Sequence, residues 1–247
     1  MNYYLRQSIR DDRDLLYAVR RAPELEKLPR KANLTAKMPP VYNQESLGSC
    51  AANAGCGYMS YKSKEPSGYF TELSRMFLYQ MARSLEGTLS VDSGVTMRSI
   101  PKALNQFGVC EEKYFPYNIK NFALPATQAA MTNALNNKII EYNLLKTLQE
   151  IKHSVAIHKM PVLIGMQVFE NFESKQVAKT GMLPVPISAE KSLGGHAVLV
   201  CGYEDKSNNS GNLIVRNSWG SAWGNKGYFN MPYDFFNKYT FDYWTLF

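Results

Sequence analysis

Cys50 lies in Gln44-Glu45-Ser46-Leu47-Gly48-Ser49-Cys50-Ala51-Ala52-Asn53, where a loop containing Gly48 runs into small, helix-favouring residues. The pattern predicts a thiol in the first turn of a helix. Unpaired N–H groups and the helix dipole favour negative charge there, so the thiol ionises more readily. The thiolate is the nucleophile, and a neighbouring imidazolium would favour it further. Gln44 offers a side-chain N–H for an oxyanion forming beside the sulfur. A cysteine without partners usually just packs in a core. The reading therefore needs a base and a group to orient it.

The chain has only three histidines. His196 stands in Gly194-Gly195-His196-Ala197-Val198-Leu199-Val200-Cys201-Gly202. Two glycines leading into an apolar, β-branched run predict a buried strand with the histidine at its start. Asn217, in Ile214-Val215-Arg216-Asn217-Ser218-Trp219-Gly220, offers a carbonyl to fix an imidazole tautomer, and Trp219 can shield that bond from water. His153 and His158 fall in or at the end of a predicted amphipathic helix and read as surface or helix-end residues.

These motifs resemble those of papain-like cysteine peptidases: the Gln44 loop, Gly48-Ser49-Cys50, Gly195-His196-Ala197, and Asn217-Ser218-Trp219-Gly220 followed by Trp223-Gly224 and Gly227-Tyr228. In that family histidine and asparagine follow the cysteine by about 130–150 residues; His196 falls inside this window and Asn217 a little beyond it. Matches run from about Leu28 to about Tyr228. The resemblance implies an α+β fold of two lobes. One is helical, about 45–125; the other is rich in strands and β-barrel-like, about 126–230 with 28–44 added. The domain as a whole would span 28–247. Cys50, His196, Asn217 and Gln44 would be catalytic, and Ser93, Gly94, Gly195 and Trp219 would bind substrate. No metal or organic cofactor is implied, and the partners would be peptide or protein substrates. The family usually reads Cys-Gly-Ser-Cys-Trp. Here Leu47 replaces a disulfide cysteine and Ala51 the tryptophan. The Leu-Gly-Ser-Cys form and the stretch from Asp92 to Tyr117 look more like short-prosegment bacterial and viral, cathepsin B-like members.

The rest of the chain sets bounds. Hydrophobic residues make up 45%, which excludes disorder as the organising principle. The net charge of +7 permits acidic partners, but no basic patch is interleaved with aromatics as nucleic-acid binding requires. With Cys50 set aside, Cys56, Cys110 and Cys201 leave an odd remainder, which fits a reducing compartment. No Cys-x-x-Cys pair points to a structural metal. Neither a signal core nor a spanning apolar run is seen, so an intracellular or virion-packaged protein outside membranes is expected.

Ser8–Arg21 reads as a short helix with acids first and arginines last, ended by Pro23. Residues 1–27 read either as an ordinary N-terminal helix docked on the body or as a miniature prosegment that packs over or beside the cleft and limits access, far shorter than the prosegments usual in that family. Further helices are expected at 50–63, 72–82 (capped by Ser67 or Thr71), 96–107, 128–136 and 143–158. Strands are expected at 138–142, 161–168, 196–202, 212–216 and 227–229. Two other readings use the same residues: a non-catalytic binding protein on a peptidase scaffold, and an enzyme that passes the acyl group to an amine or thiol.

Overall fold

The computed structural model describes residues 2–18, 28–208 and 210–247. Helix α1, Cys50–Ser67, runs through the middle of the molecule. Its side chains are buried all round from Cys50 to Tyr61, as expected of a core helix rather than an amphipathic one. Two glycines let neighbours close on it. A Cβ on Gly55 would lie 2.7 Å from Ile100 Cγ2, and one on Gly57 would lie 3.3 Å from Arg216 Nε. Gly68 ends the helix in the left-handed conformation that suits glycine.

One side of α1 carries α2 (Arg75–Leu85) and α3 (Ser99–Gln106). Ser74 caps α2, its hydroxyl accepting from Phe77 N at 3.0 Å, in place of the expected Ser67 or Thr71. Helix α4 is Gln128–Ala134. The other side carries an antiparallel sheet in the order β2-β7-β3-β4-β5-β6. Its strands are β2 Tyr142–Leu145, β3 Val162–Phe169, β4 Ser192–Asp205, β5 Gly211–Arg216, β6 Tyr228–Pro232 and β7 Thr240–Leu246. A short β1, Lys31–Asn33, adds to β4. The fold is α+β with the two-lobe papain arrangement.

Several expectations need correction. The strand expected at 138–142 lies at 142–145. A capping box between Thr147 and Glu150 starts the next helix, α5, at Leu148, and this frees Tyr142–Leu145 to pair with β7. Residues 8–16 are not helical, because their polar groups are taken by the body. Ser8 N donates to Asp242 Oδ2 (2.6 Å), and Arg98 donates to Ile9 O (2.5 Å) and to Asp14. Residues 19–21 of that expected helix lie outside the described residues. His153 is buried rather than on the surface, bonded through Nδ1 to the Tyr17 hydroxyl at 2.8 Å. His158 is half-buried, with its ring 5.1 Å from that of His153. The sequence reading also passed over α6 (Lys175–Thr180), α7 (Tyr233–Tyr239) and β7. Among the described residues no helix is long and apolar enough to cross a membrane.

Candidate active site

Cys50 is the first residue of α1, and Ser49 caps it with backbone alone. The thiol is buried and accepts a hydrogen bond from Ala197 N at 3.4 Å. That contact places Cys50 against β4 at the residue after His196. The strand begins at Ser192, so His196 sits inside it rather than at its start.

Asn217 follows β5 directly. Its Oδ1 accepts from Ser218 N (2.8 Å) and lies 2.8 Å from His196 Nε2. An oxygen already accepting a backbone N–H marks that end of the amide as the acceptor, so His196 Nε2–H donates to it. Nδ1 is then the basic nitrogen, and it has no hydrogen-bond partner. Loss of the Asn217 carbonyl frees the ring to rotate and to change tautomer. Asn217→Ala is therefore expected to lower kcat/KM about 10–100-fold with little change in KM, measured by steady-state peptide hydrolysis.

Gln44 is buried beside the same turn. Its backbone N donates to Ser218 O (2.9 Å), its Oε1 accepts from Ser218 Oγ (2.6 Å), and its Nε2 donates to Leu47 O (3.0 Å). An amide nitrogen carries two hydrogens, so one remains for an oxyanion. Trp219 lies tilted against the imidazole, ring centroids 5.4 Å apart, and Phe172 packs on Trp219 at 5.0 Å. Trp219 thus stands over the His196–Asn217 pair.

Burial governs the charge state of the dyad. It pushes the Cys50 thiol up to about 11, against the opposing pull of the Ala197, Ala51 and Cys50 backbone N–H groups; the Asp92 charge adds to the rise. Burial also brings His196 down to about 4, opposed by the bond to Asn217. Burial thus favours the neutral form of each group while the site is covered.

The N-terminal segment lies over the dyad. Leu5 N donates to Gly195 O (3.2 Å) and Arg6 N to Val95 O (3.1 Å). Tyr4 bridges Gly195 and Arg6 bridges Thr96, each in parallel sense. The Tyr3 ring stands edge-on to His196 at 6.0 Å, and its hydroxyl donates to Glu173 Oε1 at 2.5 Å. The phenol is driven strongly up by burial, then by Glu173. Glycines make this approach sterically feasible. A Cβ on Gly94 would lie 2.3 Å from Tyr4 O, one on Gly194 2.5 Å from Tyr3 O, and one on Gly195 2.2 Å from Leu5 O. Gly94 and Gly195, expected to meet substrate, are met by this segment in the structure. Ser93 turns its hydroxyl to Thr88 Oγ1 and Gly94 O. Sequence reasoning missed Tyr3, Phe172 and Glu173, since none of them lies in a motif that signals its destination.

The sequence model of the papain family cysteine protease matches residues 28–242. An uncharacterised peptidase C1-like protein of Acanthamoeba polyphaga mimivirus is 34% identical over 216 residues, covering 83% of this chain and 68% of that protein. Human cathepsin L2 is 27% identical over 220 residues, covering 87% of this chain and 64% of its own. Fruit bromelain of Ananas comosus is 27% identical, and this chain spans only half of its length. Among solved structures, xylellain, a cysteine protease from Xylella fastidiosa, superposes with a TM-score of 0.87 at 30% identity, covering 99% of this chain and 95% of that one. The chain belongs to the papain family of cysteine proteases, and its enzymatic class is that of a papain-like cysteine peptidase.

Proposed function

We propose that the chain hydrolyses peptide bonds through Cys50 and His196, and that residues 2–6 hold it closed until they are displaced. The observation that carries the first half is the fixed tautomer of His196, which leaves Nδ1 without a partner, on a strand whose next residue, Ala197, donates to the helix-borne Cys50 thiol at 3.4 Å. Nδ1 takes the thiol proton, and the sulfur attacks the peptide carbonyl carbon. The carbonyl π electrons move to oxygen, where Gln44 Nε2–H and the Cys50 backbone N–H receive the charge. The imidazolium gives its proton to the leaving amine as the C–N bond breaks, leaving a thioester. Water, deprotonated by Nδ1, then cleaves the thioester and restores the thiol. Asn217 holds the ring throughout and Trp219 keeps water from that bond. The substrates are peptides or proteins.

Support for the second half comes from the fastening of the segment. Tyr3, Leu5 and Arg6 bind at the cleft, and Arg6 also pairs with Glu86. Further along, Arg98 grips Asp14 through a nearly buried pair at 2.5 Å. Removing one partner of such a pair leaves an uncompensated charge and costs about 3–5 kcal/mol. Arg98→Ala is expected to raise peptidase activity of the full chain several-fold, because the segment loses its second anchor. An unchanged or lower rate in a fluorogenic assay would count against a holding role.

Opening is linked to protons. Closed, His196 is held near 4; open to water, it returns toward its ordinary value of about 6.5. Between those limits the open state binds the extra proton, so falling pH favours opening. The sign is that of a base whose closed-state affinity is depressed: closure is fully favoured above about 6.5 and weakens toward 4. Activity of the full chain, divided by that of an N-terminally released variant at the same pH, is expected to rise by up to about tenfold from pH 7 to 5. A flat or falling ratio contradicts this.

The test of the reaction is hydrolysis of a fluorogenic dipeptide amide under reducing conditions, with and without an added acceptor amine. Free acid product in both cases supports hydrolysis. Transfer to the amine as the dominant product would make the chain a transferase. No product from any peptide would favour a binding scaffold.

A further inference from the structure

The nucleophile turn is held by a side chain from the loop that precedes Gly94, in the same helical lobe. Gly48 N donates to Asp92, lying 3.0 Å from Oδ1 and 3.1 Å from Oδ2. Tyr79 donates its hydroxyl to Asp92 Oδ1 at 2.6 Å, and the same hydroxyl accepts from Gly94 N at 3.0 Å. One carboxylate and one phenol therefore join three things: the turn that delivers Cys50, the α2 helix, and the Gly94 ledge of the cleft. The fit is close, since a Cβ on Gly48 would stand 2.9 Å from Asp92 Oδ1. Behind this, Arg83 is buried with its guanidinium 4.4 Å from the Tyr79 ring. It donates to Leu89 O (2.7 Å) and Val91 O (3.0 Å), and so fixes the loop that carries Asp92. Nothing covalent does this work: Leu47 stands where related sequences place a disulfide cysteine, and all four cysteines are free.

We propose that Asp92 is a positioning residue for the peptidase reaction, locking the Gly48-Ser49-Cys50 turn to the Gly94 ledge through Gly48 N–H and the Tyr79 hydroxyl. This rests on the peptidase reading of the same site. The carboxylate does two opposed things. It sets geometry, which favours turnover. It also places negative charge near the sulfur, which disfavours the thiolate. A residue that merely supported the fold would not separate these effects. Two further ionisable groups belong to this site: His196, whose neighbour Ala197 donates to the thiol, and the phenol of Tyr3, on which Cys50 acts electrostatically. Both are left in place by the substitutions below.

The experiment uses the full chain carrying Leu5→Asp, which loosens the segment over the cleft, as parent. Into it are introduced Asp92→Asn and, separately, Tyr79→Phe. Two readouts are taken: steady-state hydrolysis of a peptide amide, and the pH profile of Cys50 alkylation by iodoacetamide, followed by mass of the Cys50 peptide. Asp92→Asn is expected to lower kcat/KM about 10–100-fold, while its alkylation midpoint moves about half a pH unit or more downward. Tyr79→Phe keeps the carboxylate and is expected to leave the midpoint in place, raising KM about 3–10-fold through the loosened Gly94 ledge. The proposal is overturned if Asp92→Asn retains parental kcat/KM, if its midpoint stays or rises, or if Tyr79→Phe moves the midpoint equally far. If the parent hydrolyses no peptide, the peptidase reading fails; the alkylation profile then still reads the charge at Asp92, and an unmoved midpoint overturns the proposal by itself.

Discussion

Cys50→Ala is expected to abolish turnover, lowering kcat/KM by at least about 10⁴-fold while the protein stays folded. Every bond-making step proposed above begins at Sγ, and the other three cysteines are fully buried and cannot substitute. The structural cost is small. The side chain is already small, its neighbours are Ala51 and Ala52, and only the bond from Ala197 N at 3.4 Å is lost. One such bond is worth about 1 kcal/mol. Peptide hydrolysis and a thermal melt on the same sample separate the two effects. Residual activity above about one per cent, after exclusion of wild-type contamination, would place the nucleophile elsewhere.

The second large effect is a gain. Leu5→Asp is expected to raise the activity of the full chain about 10–100-fold. Leu5 is 5% exposed and lies where the segment crosses Gly195. Burying a leucine side chain contributes about 1.5–3 kcal/mol, and a carboxylate held there without a partner costs several more. The chain avoids that cost by letting residues 2–6 leave. A closed state favoured 99 to 1 needs only about 2.7 kcal/mol, so the substitution is large enough to reverse the balance. The same change in a helix of the core would unfold the protein. Here the melting midpoint should move by only a few degrees, because the segment lies over the body rather than within it. Initial rates at matched protein concentration decide the matter. A rate within twofold of wild type would mean that the segment does not govern access.

The legible part of the site was the part written in short motifs. Gly48-Ser49-Cys50 had to be a loop entering a helix, and Gly195-His196-Ala197 had to lie in a strand, because local composition allowed little else. Asn217 and Gln44 were legible for a related reason. Each belongs to a stretch bounded by glycine or aromatic residues, and residues 42–44 and 218–220 pair directly, with Asn43 bridging Trp219. What stayed hidden depended on distant pairing. Strand β7 is last in sequence but lies between β2 and β3, so Thr240–Leu246 meets partners whose register no local pattern specifies. Gly165 has its reason there too, since a Cβ would stand 2.4 Å from the Phe241 ring. The segment before residue 17 misled in the opposite direction. Its charges suited a helix dipole, yet Arg98, Asp242 and Glu86 of the body compete for the same groups and win. The burial of the dyad was also beyond the sequence, because Tyr3 comes to it from far along the chain.

The most direct measurement is covalent labelling with a thiol-directed epoxide inhibitor, read by intact mass and then by peptide mapping. Wild type, Leu5→Asp and Leu5→Asp with Cys50→Ala would be compared under reducing conditions. The expected result is a single adduct on Cys50, formed slowly in wild type, about 10–100-fold faster in Leu5→Asp, and not at all without the thiol. An adduct on Cys56, Cys110 or Cys201, or equal rates in wild type and Leu5→Asp, would contradict a Cys50 nucleophile held closed by its own N-terminal segment.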